Sequence, residues 1–175
     1  MRKIMFSICF ILCLGMNSFA GNDISIKEVE KAQKEWGDAI VAIGNAYQNG
    51  EDYRALAAEI IDKYYAYDSC GVLFKPTKAF INPFRPTKDE ALSYFVKGVT
   101  AEDKGFALQP WSKVRFADNE CINTSNDAIC MGNYYFTDAV TGEESKVEYS
   151  FGYKKNAQGR LVIFLHHSSF PFNPK

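Results

Sequence analysis

The spacing of apolar residues changes part-way along the chain. Between residues 27 and 64 apolar side chains recur every three or four positions, which is the spacing of amphipathic helices. From residue 113 onward they tend to alternate with polar side chains, as they do in strands with one buried face. Helices followed by antiparallel strands predict an α+β fold, with the helices packed on one face of a sheet. A chain of 175 residues has room for one such domain.

Three helices are predicted. The second begins at about Asp52, and the third, Ala91 to Val96, follows a capping box in which Thr87 is the N-cap and Glu90 reaches back to it. The first ends at Asn49-Gly50. Its apolar stripe consists of Val29, Ala32, Trp36, Ile40, Ile43 and Tyr47.

The other regular segments predict strands. A short strand covers 71–74, a further one surrounds Val114 and Phe116, and an aromatic-rich one covers 128–137. In the next strand, at about 147–154, Tyr149 and its apolar neighbours alternate with polar residues, so one face is buried and the other is polar. The last strand, 161–169, is apolar on both faces for most of its length, which predicts a central position in the sheet.

The first twenty residues have the pattern of a secretory signal. Arg2 and Lys3 precede an apolar run, 4–16, that is too short to span a bilayer, and small residues stand at Ser18 and Ala20. We expect cleavage after Ala20, so that residues 1–20 are a signal peptide and residues 21–175 are a single domain. The mature chain is then exported across the inner membrane to the periplasm, with no membrane association.

The charge balance argues against a nucleic-acid partner. The formal net charge of the whole chain is -1, and loss of Arg2 and Lys3 changes it to -3. A nucleic-acid-binding protein usually needs a basic face. We therefore expect no nucleic acid among its partners.

Three of the five cysteines remain after cleavage, because Cys9 and Cys13 belong to the signal. Cys121 and Cys130 flank a polar turn between two strands, so a hairpin could bring them within reach of a disulfide in an oxidising compartment. Three free thiols, or a bridge that involves Cys70, are the alternatives at this point.

The chain has two histidines, His166 and His167, which excludes any zinc site of three imidazoles. Neighbours on a strand point to opposite faces, so the two cannot readily share one ion. Together with Ser168 and Ser169 they end the last strand. His166 shares a face with Ser168, and His167 shares the other with Ser169. On the residues alone, a frayed strand end or satisfied buried polar groups explain this run better than a site does.

Four separated segments stand out together: Leu73-Phe74-Lys75-Pro76-Thr77, Ala91-Leu92-Ser93-Tyr94-Phe95, Asp103-Lys104-Gly105-Phe106-Ala107 with Trp111, and His166-His167-Ser168-Ser169. They resemble the iota-class carbonic anhydrases, over about Glu28 to Pro171. This resemblance implies a cone-shaped, nuclear-transport-factor-two-like fold, in which N-terminal helices pack on a strongly curved antiparallel sheet. The superfamily includes the association domain of calcium/calmodulin-dependent kinase.

The resemblance implies reversible hydration of carbon dioxide to bicarbonate without a cofactor, although zinc or manganese has been argued for some members. Carried over by motif, the site would contain Thr77, Tyr94, and a serine with a neighbouring histidine. We expect Ser169 with His167, and keep Ser168 with His166 as the second choice. In the implied mechanism the hydroxyls orient a water that loses a proton to His or Tyr, and Thr77 and the serine stabilise the charge on the carbonate oxygens.

Two other functions fit the same fold. The cone could bind a small ligand without turning it over, or it could serve as an oligomerisation module. The association-domain relatives suggest a homodimer through the sheet, for which Tyr149, Phe151 and Tyr153 would be exposed.

Overall fold

The computed structural model describes residues 23–174, and the predicted signal peptide lies outside the described residues. A 3₁₀ turn, Phe106–Leu108, joins the last helix to the long strands. The predicted succession of helices and strands is confirmed. The elements are α1 (Ile26–Gln48), α2 (Tyr53–Tyr64), β1 (Leu73–Lys75), α3 (Lys88–Val96), β2 (Trp111–Asn123), β3 (Asp127–Asp138), β4 (Glu144–Lys155) and β5 (Leu161–Ser169).

Side-chain caps define where the three helices begin. Ser25 and Glu28 form a capping box at α1, and the Asp52 carboxylate accepts the backbone N–H of Ala55 at α2. The predicted box at α3 is confirmed, since Thr87 caps the helix and Glu90 bonds back to it. Each cap satisfies backbone N–H groups that have no partner within the helix, which explains why short polar residues stand at these positions.

The five strands form one sheet in the order β1-β5-β4-β3-β2. Strands β2 to β5 pair antiparallel with their neighbours, and β1 pairs parallel with β5. The predicted interior position of β5 is confirmed, because it lies between β1 and β4. The parallel pairing was not predicted: it joins segments about ninety residues apart, and no local pattern encodes that contact.

The inner face of the sheet packs against the helices around Trp36 of α1. The Trp36 ring meets Phe151 edge to face, with ring centroids 5.7 Å apart. Tyr149, Phe151 and Tyr153 are all buried. This confirms the prediction that alternation gives β4 one buried face, and the alternative in which these three lie exposed as a dimer interface is wrong. Alternation along β4 shows which residues share a face, and the large apolar side chains occupy the face that the helices cover.

Cys121 and Cys130 are directly opposite each other in β2 and β3, with Cα atoms 4.1 Å apart, and they form a disulfide. This confirms the hairpin bridge over its two alternatives. Cys70 is exposed and free.

A buried ion pair orders the proline-rich segment between β1 and α3. The Arg85 side chain is fully buried and donates to the Asp103 carboxylate, with Nε 3.2 Å from Oδ2. Glu102 accepts the backbone N–H groups of Ile81 and Asn82 at 2.8 and 2.9 Å, and these bonds lower its pKa to about 2. The segment is thus tied to the loop after α3 by charge-assisted hydrogen bonds.

Asp103→Asn is expected to lower the free energy of unfolding by roughly 3 kcal/mol, because it removes the closer carboxylate from a buried guanidinium. Asp38→Asn is the control: Asp38 pairs with Lys34 on the surface, and this loss should stay under about 1 kcal/mol. Urea denaturation measures both. Equal losses in the two variants would contradict the anchoring role of the buried pair.

Candidate active site

Four hydroxyl groups from four parts of the fold meet inside the protein. Thr77 follows β1, Tyr94 belongs to α3, Tyr134 to β3 and Ser168 to β5. The Thr77 and Ser168 hydroxyl oxygens are 2.9 Å apart, and the backbone N–H of Lys78 donates to the Tyr94 hydroxyl at 3.5 Å. Thr77 also interacts with both tyrosine hydroxyls, and Ser168 with that of Tyr134, closely enough to lower the pKa of the two phenols. We call Thr77, Tyr94, Tyr134 and Ser168 the hydroxyl cluster.

The hydroxyl cluster is surrounded by apolar rings. Phe106 stacks on Tyr94 with centroids 5.4 Å apart, and Phe74 meets Tyr94 edge to face at 5.7 Å. Ser168, Tyr94 and Tyr134 are buried, whereas Thr77 is half-buried. Hydrogen bonds are electrostatically stronger in such a low-dielectric setting than in water.

The cluster carries no charge at neutral pH. Burial raises the pKa of Tyr94 and of Tyr134 well above the usual 10, and their hydrogen bonds to neighbouring groups offset this only in part. Both phenols therefore keep their protons. The arrangement offers several hydrogen-bond donors to an anionic oxygen and contains no ionised base.

The pleat of β5 places one His–Ser pair inside and the other outside. His166 lies opposite Phe151 of β4 and faces the interior together with Ser168. His167 and Ser169 point to the other face, where His167 is exposed and Ser169 is half-buried. The structure thus brings together Thr77, Tyr94 and Ser168, and it does not bring Ser169 or His167 to them. Sequence shows which residues share a strand face but not which face the helices cover, and here the helices cover the face of His166 and Ser168, the second choice of pair.

His166 is enclosed by aromatic rings. Its imidazole stacks on Phe74 at 4.5 Å and lies edge-on to Phe151 at 4.3 Å between centroids. Its Nδ1 is 2.9 Å from the Tyr65 hydroxyl, which in turn accepts the indole N–H of Trp36 at 3.0 Å. Burial lowers the pKa of His166 well below the usual 6.5, so the ring is neutral at pH 7.

A cavity of about 310 Å³ borders the cluster at Tyr94. Its wall carries three lysines, of which Lys78 follows Thr77 directly and reaches Gln109 Oε1 at 3.1 Å. Burial lowers the pKa of Lys78. A mouth lined by cations raises the local concentration of small anions. The lining residues include Lys78, Tyr94, Lys97, Glu102, Lys104 and Phe106.

The side chains of residues 23–174 form no group of three or more His, Cys, Asp and Glu that could hold a metal ion. The donors at the cluster are neutral hydroxyls, and the disulfide removes two of the three described thiolates. The residues at this site therefore do not fit a protein-bound zinc or manganese ion, which takes imidazole, thiolate or carboxylate ligands. None of the helices in this part of the chain is long and apolar enough to cross a membrane.

The sequence model of a family described as metal-independent carbonic anhydrase matches residues 27–170. The chain belongs to this family. It is 43% identical over 155 residues to a metal-independent carbonic anhydrase from Nostoc sp. (strain PCC 7120 / SAG 25.82 / UTEX 2576), covering 85% of this chain and 75% of that protein. The resemblance that the four segments suggested is confirmed, and the family's description agrees with the expectation of no cofactor.

Solved structures agree with the family. The crystal structure of a cyanobacterial iota-carbonic anhydrase complexed with bicarbonate superimposes with a TM-score of 0.81 at 42% identity, over 86% of this chain and 94% of that one. A nuclear-transport-factor-2-like protein with a cystatin-like fold from Novosphingobium aromaticivorans gives a TM-score of 0.54 at 7% identity, over 83% and 80% of the two chains, and shows the fold alone. The predicted α+β class of fold is confirmed.

Sequence reasoning about this carbonic anhydrase family member missed Tyr134 and Tyr65 as parts of the site. The alternation of β3 places Tyr134 on the same face as Phe136 and Cys130, which is a signal for burial but not for contact with Ser168. Tyr65 stands just after α2, and its contact with His166 joins residues 101 positions apart.

Proposed function

We propose that the hydroxyl cluster of this chain catalyses the reversible hydration of carbon dioxide to bicarbonate. The observation that carries this proposal is the bonded pair of Thr77 and Ser168 beside protonated Tyr94, in a member of the metal-independent carbonic anhydrase family. The relative complexed with bicarbonate supports the choice of ligand.

Hydration forms a bond between a water oxygen and the carbon of carbon dioxide while one water proton leaves. An electron pair of the attacked C=O bond moves onto its oxygen, so negative charge develops there. Tyr94 donates a hydrogen bond to a carbonate oxygen, and the Thr77–Ser168 pair donates another from whichever hydroxyl does not donate to its partner, so that both stabilise this charge. Their fixed positions also orient the water and the carbon dioxide before they react.

The released proton leaves through the hydroxyls. At neutral pH the cluster holds no carboxylate or phenolate, and neutral His166 already accepts a hydrogen bond at Nδ1 if Tyr65 donates. A hydroxyl can accept a proton from the attacking water while it donates its own to the next oxygen, so a relay through the cluster reaches solvent at the lysine-lined cavity beside Tyr94. In this relay neither a histidine nor a tyrosine stores the proton.

Neither alternative function is favoured. The matched family, the Nostoc relative and the solved cyanobacterial structure are all described as carbonic anhydrases, which supports catalysis.

Stopped-flow hydration of carbon dioxide by the purified protein tests the function, with metal analysis before and after exhaustive chelation. Activity should survive chelation. Thr77→Ala, Ser168→Ala and Tyr94→Phe should each lower kcat/KM by about 10²-fold, since each removes a hydroxyl that donates to the developing charge or holds the donor in place. Ser169→Ala is the matched control, because it removes the next hydroxyl along β5 on the outer face, and it should change kcat/KM less than about threefold.

Activity that disappears on chelation and returns with one metal would overturn the metal-free site. If Ser169→Ala lost as much activity as Ser168→Ala, the site would belong to the outer pair instead. If the protein hydrated no carbon dioxide either before or after chelation, a binding module would be the better explanation.

We also propose that the chain forms a homodimer through the outer face of the sheet. On this face, a row of residues without polar side chains runs across all five strands, each residue paired with the next. Met131 of β3 lies beside the row, and 61% of its surface is exposed. A two-fold axis brings the same patch of two copies together, so one apolar patch suffices for a closed dimer. The row consists of Leu73, Leu165, Gly152, Ile129 and Ile122.

Met131→Lys should convert the dimer to a monomer, because it buries an unpaired charge in the interface. Sedimentation equilibrium at micromolar protein measures the mass. Val140→Lys places the same charge on an exposed apolar residue of the β3–β4 turn and should leave the mass unchanged. A wild-type protein that is monomeric, or a Met131→Lys variant that stays dimeric, would contradict the proposal.

We further propose that residues 1–20 direct export and are removed, which leaves a periplasmic protein. The charged start, short apolar run and small residues before the cleavage point support this, and so does the Cys121–Cys130 disulfide, since such bonds persist in oxidising compartments.

Intact mass spectrometry of the protein from a bacterial periplasmic fraction should show a chain that begins at Gly21, with Cys121 and Cys130 oxidised. A full-length, reduced chain confined to the cytosolic fraction would contradict export.

A further inference from the structure

The two nitrogens of the His166 imidazole have different surroundings. Nδ1 lies 2.9 Å from the Tyr65 hydroxyl, whereas Nε2 is buried and has no hydrogen-bond partner among residues 23–174. The whole residue is 2% exposed. A buried polar atom without a partner is uncommon in a folded protein, so the position of the ring proton matters.

The indole of Trp36 decides where that proton is. Its Nε1–H can only donate, and it lies 3.0 Å from the Tyr65 oxygen, so that oxygen accepts. If Nδ1–H of His166 donated to the same oxygen, the Tyr65 O–H would be left without an acceptor in a fully buried setting. The satisfied arrangement has the Tyr65 O–H donating to Nδ1. A neutral imidazole then carries its proton on Nε2.

We propose that Tyr65, held by Trp36, is a positioning residue that fixes His166 as the Nε2–H tautomer, so that this N–H donates a hydrogen bond to a bicarbonate oxygen. The proposal rests on the proposed function and adds a donor to its site. It also assigns His166 a role opposite to that of a general base, because Nδ1 is occupied and Nε2 already carries a hydrogen.

The ring is placed where such a donor is useful. His166 and Ser168 are two residues apart on β5 and face the same side. Phe74 packs against His166 at 4.5 Å and against Tyr94 at 5.7 Å, so the imidazole and the hydroxyl cluster share one aromatic wall. Phe74 on one side and Phe151 on another restrict rotation of the ring, which keeps the N–H direction constant.

Nitrogen-15 NMR of protein labelled at histidine reads the tautomer directly. The chain has two histidines, so His167→Gln leaves only the signals of His166. We expect a pyridine-type shift for Nδ1 and a pyrrole-type shift for Nε2 at neutral pH. The reverse pattern, or an equal mixture, would overturn the proposal, and this measurement does not depend on activity.

Tyr65→Phe should convert the spectrum to a mixture of tautomers and lower kcat/KM about tenfold or more. Tyr67→Phe is the matched control: the Tyr67 ring stacks on Tyr65 at 6.1 Å between centroids, but its hydroxyl donates to the Arg85 carbonyl. It should leave the His166 spectrum unchanged. A Tyr65→Phe protein that folds and keeps the wild-type spectrum would contradict the positioning role, and the wild-type spectrum still decides the tautomer if that variant does not fold.

Titration with sodium bicarbonate tests the donor role. The Nε2–H cross-peak of His166 should move as bicarbonate is added, and an unmoved cross-peak would overturn the donation. The failure of this proposal can be told apart from failure of the proposed function. If the enzyme is active but His166 carries its proton on Nδ1, the proposed function stands and the tautomer proposal is wrong. If the protein is inactive but the cross-peak moves with bicarbonate, His166 is a donor and the proposed catalysis is wrong.

Discussion

The pleat of β5 determines which polar groups enter the interior of this protein. Its strand position between β1 and β4 fixes the backbone on both sides, so alternate side chains must point to opposite faces. His166 and Ser168 consequently lie among aromatic rings, where an unpaired polar atom would be costly. The Thr77 hydroxyl satisfies Ser168, and the Tyr65 hydroxyl satisfies one nitrogen of His166. The loops and helices that carry these partners are thereby tied to one strand.

In the proposed mechanism, a site built in this way works without ionised groups. Burial keeps the phenols protonated and the imidazole neutral, so the hydroxyl cluster and His166 present donors and no charge before substrate enters. Such donors interact most strongly with an oxygen that gains negative charge, which is the change that occurs when carbon dioxide becomes bicarbonate. The Arg85–Asp103 ion pair supports the hydroxyl cluster indirectly, because it orders the segment that carries Thr77.

Local rules were sufficient for most of the secondary structure. The capping box at Thr87, the helix that follows Asp52 and the hairpin closed by Cys121 and Cys130 all depend on residues within a few positions of one another. The choice between Ser168 and Ser169 was beyond such rules, since it depends on which face of β5 the helices cover. The same limit applied to Tyr149, for which alternation predicted a buried face whereas the dimer alternative required an exposed one. Tyr65 was missed because its bond to His166 spans more than a hundred residues.

The most direct test of the account is a crystal structure of the protein soaked with bicarbonate. The account predicts the anion within hydrogen-bond distance of Thr77 Oγ1 and Ser168 Oγ, with Tyr94 donating to it as well. An anion bound only in the lysine-lined cavity, near Lys78 and Lys97, or one beside Ser169 on the outer face, would contradict the proposed site.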